Sequence, residues 1–181
     1  MKHSIKFALA LVASLGLPLP AQLPAVPRLT SRSLGAPAST ADSLALTIAI
    51  FRAATAHGTR AAHPAPLPRL VCLAQGPAPD DDPPNGVIAA LEQIDTLLVR
   101  PISACRPEPG DSRTAVIADR LTGQQGIVIR ASAPRFTRGD GAFEVELGYS
   151  EHGRSAAHWT CTGRKRQGTW EIVACKVIVQ A

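Results

Sequence analysis

The sequence predicts an α+β domain in which two N-terminal helices pack on a curved antiparallel β-meander of four to five strands. Apolar residues recur at helical spacing in the first half of the chain. From residue 114 onward the spacing changes to the alternation of half-buried strands. Short, turn-rich segments separate the alternating stretches, so we expect each strand to lie beside the next. Helices that precede a run of strands are typical of the α+β class.

The first 21 residues predict a secretory signal peptide. Lys2 and Lys6 form its basic end, an apolar run follows over 7–19, and small residues precede a cut after Ala21, with Ala25 as the alternative. Because a bilayer-spanning helix needs about 20 apolar residues, the run favours a cleaved signal over a membrane anchor or a buried N-terminal helix. We therefore expect a periplasmic or secreted protein with no membrane span after signal cleavage.

Residues 22–41 predict a flexible leader, and residues 42–181 predict a single α+β domain. The leader is rich in Pro, Ala and Ser and shows no periodicity, so it buries too little apolar surface to offset chain entropy. The chain has 19 basic residues, of which Lys2 and Lys6 are removed with the signal peptide. The mature protein then has 17 basic and 14 acidic residues, which gives a net charge of +3. A charge this small is weak evidence for an anionic partner.

The first helix is predicted over 42–57, with Asp42 as its N-cap and Gly58 as its stop. Its β-branched residues leave a strand over 44–50 as the alternative. The predicted core stripe consists of residues at helical spacing, namely Leu44, Thr47, Ile48, Phe51, Ala54 and Thr55.

A strand or extended segment is predicted over 70–73, followed by an acidic, proline-rich loop over 76–85. The second helix is predicted from Pro84, because proline is favoured in the first turn of a helix, to about residue 96. Pro101 excludes any helical continuation. The apolar residues of this helix at the expected spacing are Val87, Ile88, Leu91, Ile94 and Leu98.

Five strands are predicted in the second half of the chain. Turn signals separate them, and their expected ranges are 114–119, 126–132, 142–150, 156–163 and 169–179. The third strand shows the clearest alternation. Its core face is expected to carry Phe143, Val145, Leu147 and Tyr149. Its solvent face is expected to carry Glu144, Glu146 and Gly148.

The last hairpin predicts a β-bulge. A turn over 165–168 would pair Gly163 with Trp170 and Cys161 with Ile172. The apolar residues beyond Ile172 have the opposite parity, and one extra residue near 173–174 would reconcile the two halves of the strand.

The four cysteines are Cys72, Cys105, Cys161 and Cys175. An even number of cysteines in an exported chain is typical of a disulfide framework, so the sequence predicts two disulfides. We favour Cys72–Cys105 and Cys161–Cys175. The expected register places the second pair diagonally, about 7–8 Å apart, so only the bulge would bring it within bonding distance. Four free thiols are one alternative. A zinc site is the other, formed by cysteines with His63, His152 and His158.

The segment from Trp159 to Val173, with its basic turn and Gly-x-Trp followed by aliphatic residues, resembles the terminal hairpin of the NTF2-like superfamily of cone-shaped folds. The helix-then-sheet order is similar as well. The resemblance implies an interior that takes a small molecule or carries an Asp/His pair for catalysis. No such pair can be placed in this sequence, so no site residue is carried over from the superfamily.

Three charged motifs each have a functional and a structural interpretation. The carboxylates at 80–82 suggest calcium, but adjacent carboxylates between prolines are more typical of a solvated loop. The basic residues at 164–166 suggest docking of anionic polymers, or simply a hydrated hairpin tip. Arg138-Gly139-Asp140 matches a tripeptide known from integrin ligands, but the residues 139–141 are also typical of a turn. No interleaved aromatic residues are available to stack bases, so no nucleic-acid partner is expected.

Acid and base groups for catalysis would come from His152 and His158 with Glu144, Glu146 or Glu151. Strand parity directs the first two glutamates and His158 to solvent, and the chain lacks G-x-S-x-G, H-E-x-x-H and phosphate-loop motifs. We therefore assign no catalytic residue, metal ligand or cofactor.

The aromatic residues Trp159, Trp170, Phe143 and Tyr149 are expected in the core rather than lining a pocket. The sequence thus predicts an exported, non-catalytic domain with a binding or structural role and an unknown partner. Two alternatives remain open. One is an NTF2-like domain that binds or transforms a small molecule in its interior, and the other is an adhesion module that uses the basic hairpin tip.

Overall fold

The computed structural model describes residues 39–76, 81–109, 115–137, 141–152 and 155–180. The predicted signal peptide, the leader up to residue 38, Asp80 and the 138–140 tripeptide lie outside the described residues. Neither described helix combines the length and the apolar character needed to cross a bilayer.

Two helices are described, α1 (Thr40–Ala61) and α2 (Asn85–Glu92). The predicted cap of α1 is wrong, because Ser39 is the N-cap and its hydroxyl accepts the N–H of Asp42 at 3.2 Å. The predicted stop is also wrong. Gly58 lies inside α1, where a side chain would press on Ile129 and come within 3.0 Å of the Cβ of Tyr149. The glycine therefore permits close packing of the helix on the sheet.

The buried face of α1 is rotated from the predicted stripe; it consists of Leu46, Ile50, Phe51, Ala54, Thr55 and Gly58. The physical reason is the second helix. Because α2 packs beside α1, Leu44 and Ile48 lie half-buried at the flank of the core rather than at its centre. Helix α1 has two neighbouring apolar faces, one against the sheet and one against α2, so its apolar residues form a broad stripe. Periodicity alone does not show which part of that stripe packs on the sheet.

The strands of the described residues form one mixed sheet. In chain order they are β1 (Arg69–Gln75), β2 (Leu97–Pro101), β3 (Cys105–Pro107), β4 (Ile117–Asp119), β5 (Gln125–Ala131), β6 (Arg135–Phe136), β7 (Phe143–His152), β8 (Ser155–Arg166) and β9 (Thr169–Gln180). A short 3-10 turn, Ile102–Ala104, links β2 to β3. The main strand order is β2-β1-β5-β7-β8-β9, while β4 pairs with β3 and β5, and β6 pairs with β7.

The predicted fold class is therefore wrong: the molecule is not two helices on a four- to five-stranded antiparallel meander. Strand β1 lies in the interior of a nine-stranded mixed sheet and runs parallel to both neighbours, with Val71 opposite Val99 and Ile127. Helix α2 provides the crossover from β1 to β2. Six of the seven residues of β1 are buried, so the strand reads as a continuous apolar run without the alternation that reveals a half-exposed strand.

Both faces of β1 are covered. The helix-facing side belongs to the main core, which includes Phe51, Leu73, Ile129 and Trp159. The opposite side forms a second cluster beneath β3, β4 and the 3-10 turn; its buried members are Leu70, Cys72, Ala74, Cys105 and Val128. Cys72 is bonded to Cys105, with the Cα atoms 6.3 Å apart, so a disulfide fastens this covering layer to the centre of the sheet.

The antiparallel half of the sheet agrees with the pattern of its sequence. In β7 the four predicted core residues are buried, and Glu144 and Glu146 are exposed. Gly148, which was predicted on the solvent face, is buried because the ring of His158 covers it. Strands β8 and β9 join through Gln167 and Gly168, both at positive φ, as in the two-residue turns of tight hairpins.

The predicted bulge in β9 is confirmed, but the predicted register is wrong. Because the turn contains two residues rather than four, Gly163 pairs with Ile172, and Cys161 lies directly opposite Cys175. Val173 is the extra residue between Ile172 and Ala174. The Cα atoms of Cys161 and Cys175 are 4.1 Å apart and the two form the second disulfide. Both disulfides have the pairing that the sequence favoured, and no cysteine is free for zinc.

Candidate functional site

A polar cluster lies where three elements converge: the loop after α1, the end of β7 and the start of β8. Its members are His63, Tyr149, Glu151, His152 and Ser155, and we call it the His63 cluster. His63 follows α1 by two residues, whereas Glu151 and His152 are the last two residues of β7. The side chain of His63 is 72% exposed and that of Glu151 is 18% exposed. The cluster therefore opens to solvent on the side of His63.

Glu151 is the hydrogen-bonded centre of the cluster. Its Oε2 accepts the backbone N–H of His63 at 3.2 Å and lies 3.1 Å from the Nδ1 of the same residue. Ser155 donates to this oxygen at 3.2 Å, and the Ser155 hydroxyl is itself hydrogen-bonded to the Tyr149 hydroxyl at 2.6 Å. Burial raises the pKa of Glu151, but the hydrogen bonds from His63 and Ser155 outweigh it and hold the pKa below its usual value.

A β-bulge in β7 directs Glu151 and His152 to the same site. Adjacent residues of a regular strand direct their side chains to opposite faces of the sheet. Here Ser150 pairs with Ala156 and His152 pairs with Ser155, so Glu151 is an extra residue without a partner in the ladder. Bulges of this kind reorient side chains and recur beside functional sites. The donor atoms of His63, Glu151 and His152 consequently lie within 4.8 Å of one another.

Two cavities adjoin the His63 cluster, with volumes of about 330 and 310 Å³. Val116, Glu151 and His152 line both, so we treat them as one depression and call it the β5 cleft. Strands β4 and β7 pair with the same edge of β5, but at different positions along it. The cleft lies in the gap between these two strands. A volume of this size is within the lower range of sites for small molecules.

Arg69 is the buried cation of the β5 cleft. It starts β1, is 7% exposed and lines the smaller cavity. Its Nη2 donates to the carbonyl of His63, which links the arginine to the cluster. Its Nη1 is buried and has no hydrogen-bond partner among the described residues. Buried polar atoms are nearly always paired, and an unpaired guanidinium N–H is a costly exception.

The structure brings together only part of the predicted acid–base set. His152 and Glu151 meet in the His63 cluster. His158 is exposed on the outer face of β8, above Gly148. Glu146 lies 3.6 Å from Arg135 on the surface, and Glu144 is paired in register with the same arginine. The predicted solvent orientation of His158 and both glutamates is therefore confirmed.

The two charged loops have structural partners. Both carboxylate oxygens of Asp82 accept hydrogen bonds from Ser103, at 2.9 Å from its N–H and 2.6 Å from its hydroxyl. At the hairpin tip, Lys165 contacts Asp42 at 2.5 Å and Arg164 lies 3.5 Å from Glu171. Two of the three basic residues are thus balanced by carboxylates of this chain.

The four predicted core aromatics, Trp159, Trp170, Phe143 and Tyr149, are at most 6% exposed, as expected. Phe136 joins Phe143 and Trp170 in a cluster with ring centroids 5.8–6.0 Å apart. The helix-covered face of the sheet is accordingly filled by apolar side chains. The β5 cleft lies outside this interior, at the end of β7.

Sequence reasoning missed Arg69 and the joining of His63 to Glu151. A lone arginine before an apolar run reads as a strand boundary, and the contact between His63 and Glu151 spans 88 residues. The only local signal was the Glu151–His152 pair at the end of the regular alternation in β7. Strand parity alone would place these two side chains on opposite faces of the sheet. The bulge removes that separation.

The arrangement is better suited to binding than to nucleophilic catalysis. Ser155 is 3% exposed, and it donates to the carboxylate of Glu151 rather than to an imidazole. A serine activated for attack would instead donate to a histidine base. Searches of the chain against family models, curated proteins and solved structures find no match. Function is therefore inferred from the residues of the site alone.

Proposed function

We propose that this chain is an exported, non-catalytic binding domain that takes a small anionic molecule in the β5 cleft, with Arg69 as the cationic contact. One observation carries the proposal: Arg69 lines a cavity while its buried Nη1 has no partner among the described residues. A carboxylate or phosphate oxygen is the group that a guanidinium pairs with best. A ligand oxygen would offset the cost of the unpaired N–H.

Export is supported from two directions. The two disulfides fit an oxidising compartment such as the periplasm or the extracellular space. The N-terminus carries the pattern of a signal peptide, which adds the route to that compartment. Sequencing the N-terminus of the mature protein tests the route. A start near residue 22 is expected, and an intact Met1 on the folded, oxidised protein would contradict it.

The two alternative functions have less support. The NTF2-like hypothesis stays a prediction. A ligand site inside the cone is not favoured, because the helix-covered face is filled by side chains such as Phe51, Phe143 and Trp159. The adhesion hypothesis also stays a prediction. Two of its three basic residues, Arg164 and Lys165, contact carboxylates of the chain, which lowers the charge available to a polymer.

Titration of the isotope-labelled, disulfide-intact protein with succinate, inorganic phosphate and glycerol tests anion binding. We expect succinate or phosphate to shift the amide resonances of Gly126, Ile127 and His152 to saturation, while the neutral glycerol leaves them unchanged. Arg69→Gln should weaken binding at least tenfold, since it removes the only buried guanidinium known to line the cleft in the described part of the chain.

Two further variants make the anion test decisive. Arg60→Gln is the matched control, because Arg60 is an exposed arginine of α1, and it should bind as the wild type does. If Arg69→Gln proves unstable, Arg69→Lys replaces it in the test. This variant keeps a buried cation and should bind the anions, but more weakly than the wild type does. Equal losses in Arg60→Gln and Arg69→Gln, or no saturable shift with either anion at 10 mM, would overturn the proposal.

A further inference from the structure

We infer that His63, Glu151 and His152 form a binding site for a divalent transition-metal ion, with zinc and copper as the chemically preferred occupants. The inference goes beyond the proposed binding of an anion and does not depend on it. It rests on the convergence of two imidazoles and one carboxylate at the rim of the β5 cleft. The three donor atoms lie within 4.8 Å of one another.

The spacing of the donors suits a metal centre. Two ligands at about 2.1 Å from a tetrahedral ion are separated by about 3.4 Å. The Nδ1 of His63 and the Oε2 of Glu151 are already 3.1 Å apart. The ring of His152 lies 6.1 Å from that of His63, centroid to centroid, and the two planes are inclined by only 25°. The donor atom of His152 lies within 4.8 Å of the other two, so a small movement of the side chains is enough to reach this spacing.

The backbone is arranged to produce this convergence. In a regular β7 the side chains of Glu151 and His152 would lie on opposite faces of the sheet. The bulge at Glu151 instead places both beside His63, and both line the same cavities. Bulges reorient side chains, and this one directs an acidic residue and a histidine towards a second histidine.

A buried hydrogen-bond chain supports the carboxylate from behind. Ser155 donates to Glu151, and Tyr149 is hydrogen-bonded to Ser155, with both hydroxyl residues at most 4% exposed. Outer partners of this kind fix the orientation of metal ligands, and their loss typically weakens metal binding by 10–100-fold. A simple surface ion pair between His63 and Glu151 would not require such a chain.

The donor chemistry selects the metal. Calcium and magnesium favour sites built from oxygen ligands alone, whereas imidazole nitrogen suits zinc and copper. All four cysteines are in disulfides, so thiolates do not compete for the ion. Three protein ligands would leave a coordination position open towards the β5 cleft, as in metal sites that also bind a small molecule or water.

Titration with ZnCl₂ alone, on chelator-treated protein without a polyhistidine tag, tests the site by calorimetry. We expect one zinc ion per chain with micromolar affinity. His63→Gln, His152→Gln and Glu151→Gln should each weaken binding at least tenfold, and Ser155→Ala should weaken it to a smaller extent. His158→Gln is the matched control, since His158 is an exposed histidine of the adjacent strand, and its affinity should be unchanged.

Paramagnetic resonance of the copper-loaded protein gives a second readout that does not depend on affinity. The spectrum should show coupling to two imidazole nitrogens in the wild type and in His158→Gln, and to one in His63→Gln. Loss of zinc binding in His158→Gln equal to that in His63→Gln would overturn the site, as would the absence of binding at 1 mM zinc. Because neither succinate nor phosphate is added, and the metal ligands do not include Arg69, these outcomes are distinguishable from those of the anion titration.

Discussion

The parallel half of the sheet, formed by β2, β1 and β5, differs from the antiparallel half, formed by β7, β8 and β9, in how many of its faces are buried. In the parallel half, Leu73 faces the helices and Leu70 faces the layer of β3 and β4, and neither is exposed to solvent. In the antiparallel half, Trp159 is buried, while its neighbour His158 is exposed. Parallel strands linked by crossovers are covered on both sides, whereas hairpin-linked strands can leave one side to water. The β5 cleft lies at the seam, where β5 passes from one half to the other.

Each half of the sheet is fastened by one disulfide, and we expect a large loss of stability when either disulfide is removed. Cys72–Cys105 closes a sequence separation of 33 residues, and Cys161–Cys175 closes one of 14 between strands that are already paired. The loop-entropy model gives about 4 kcal/mol for the first and about 3 kcal/mol for the second. Urea unfolding of the two double Cys→Ala variants measures both costs. A larger loss of unfolding free energy in Cys161→Ala/Cys175→Ala than in Cys72→Ala/Cys105→Ala would contradict this order. It would mean that the hairpin depends more on its disulfide than the covering layer does.

The same contrast explains which parts of the fold could be predicted from the sequence. Pairing in the antiparallel half is local, so alternation in β7 and the parity change in β9 predicted the inward residues and a bulge near 173–174, although not the register of the hairpin. Pairing in the parallel half joins residues far apart, such as Leu70 and Gly126, and its strands lack alternation. The His63 cluster also joins residues far apart in the sequence, because a contact across 88 residues and a bulge at Glu151 produce it. The sequence therefore did not reveal it.

A pair of truncations on the outer face of each half tests the difference in burial. Leu70→Ala should destabilise the protein by about 3 kcal/mol, because Leu70 is fully buried beneath β3 and β4. Thr162→Ala, on the exposed outer face of β8, should change the free energy of unfolding by about 0.5 kcal/mol or less. Chemical denaturation gives both values. A small effect of Leu70→Ala would mean that the covering layer contributes little to the core.

Deletion of a single residue tests how each half sets its register. Removing Val173 should restore regular pairing from the turn to Trp159, in which Cys161 still faces Cys175, at a cost of about 1 kcal/mol or less. Removing Leu73 from β1 should prevent folding, since a one-residue shift exchanges the two buried faces of the strand. Non-reducing peptide mapping of each variant reports the pairing. Loss of the Cys161–Cys175 link in the Val173 deletion would contradict the register.

The smallest expected effect is the pH dependence that Asp119, at the end of β4, gives to the layer that covers the parallel half. The N–H of Thr122 and the N–H of Leu121 donate to its carboxylate at 2.9 and 2.7 Å, and Arg100 donates at 3.0 Å. The hydrogen bond from Thr122 is the largest cause that holds the pKa of Asp119 below its usual value of 3.8; burial opposes it, and Leu121 and Arg100 add to it. A lowered pKa in the folded state means that the unfolded chain takes up this proton first as the pH falls.

The stability contributed by ionised Asp119 is therefore complete above pH 3.8 and is lost as the pH falls through the lower pKa of the folded state. Asp119→Asn should reduce stability at pH 7 and should show a smaller decline than the wild type between roughly pH 4 and pH 2, because it lacks this titration. Glu146→Gln is the control from the antiparallel half, since its contact with Arg135 is exposed and 3.6 Å long. Urea unfolding of all three proteins across this range measures the difference, and an acid decline in Asp119→Asn as steep as that of the wild type would assign the effect to other carboxylates.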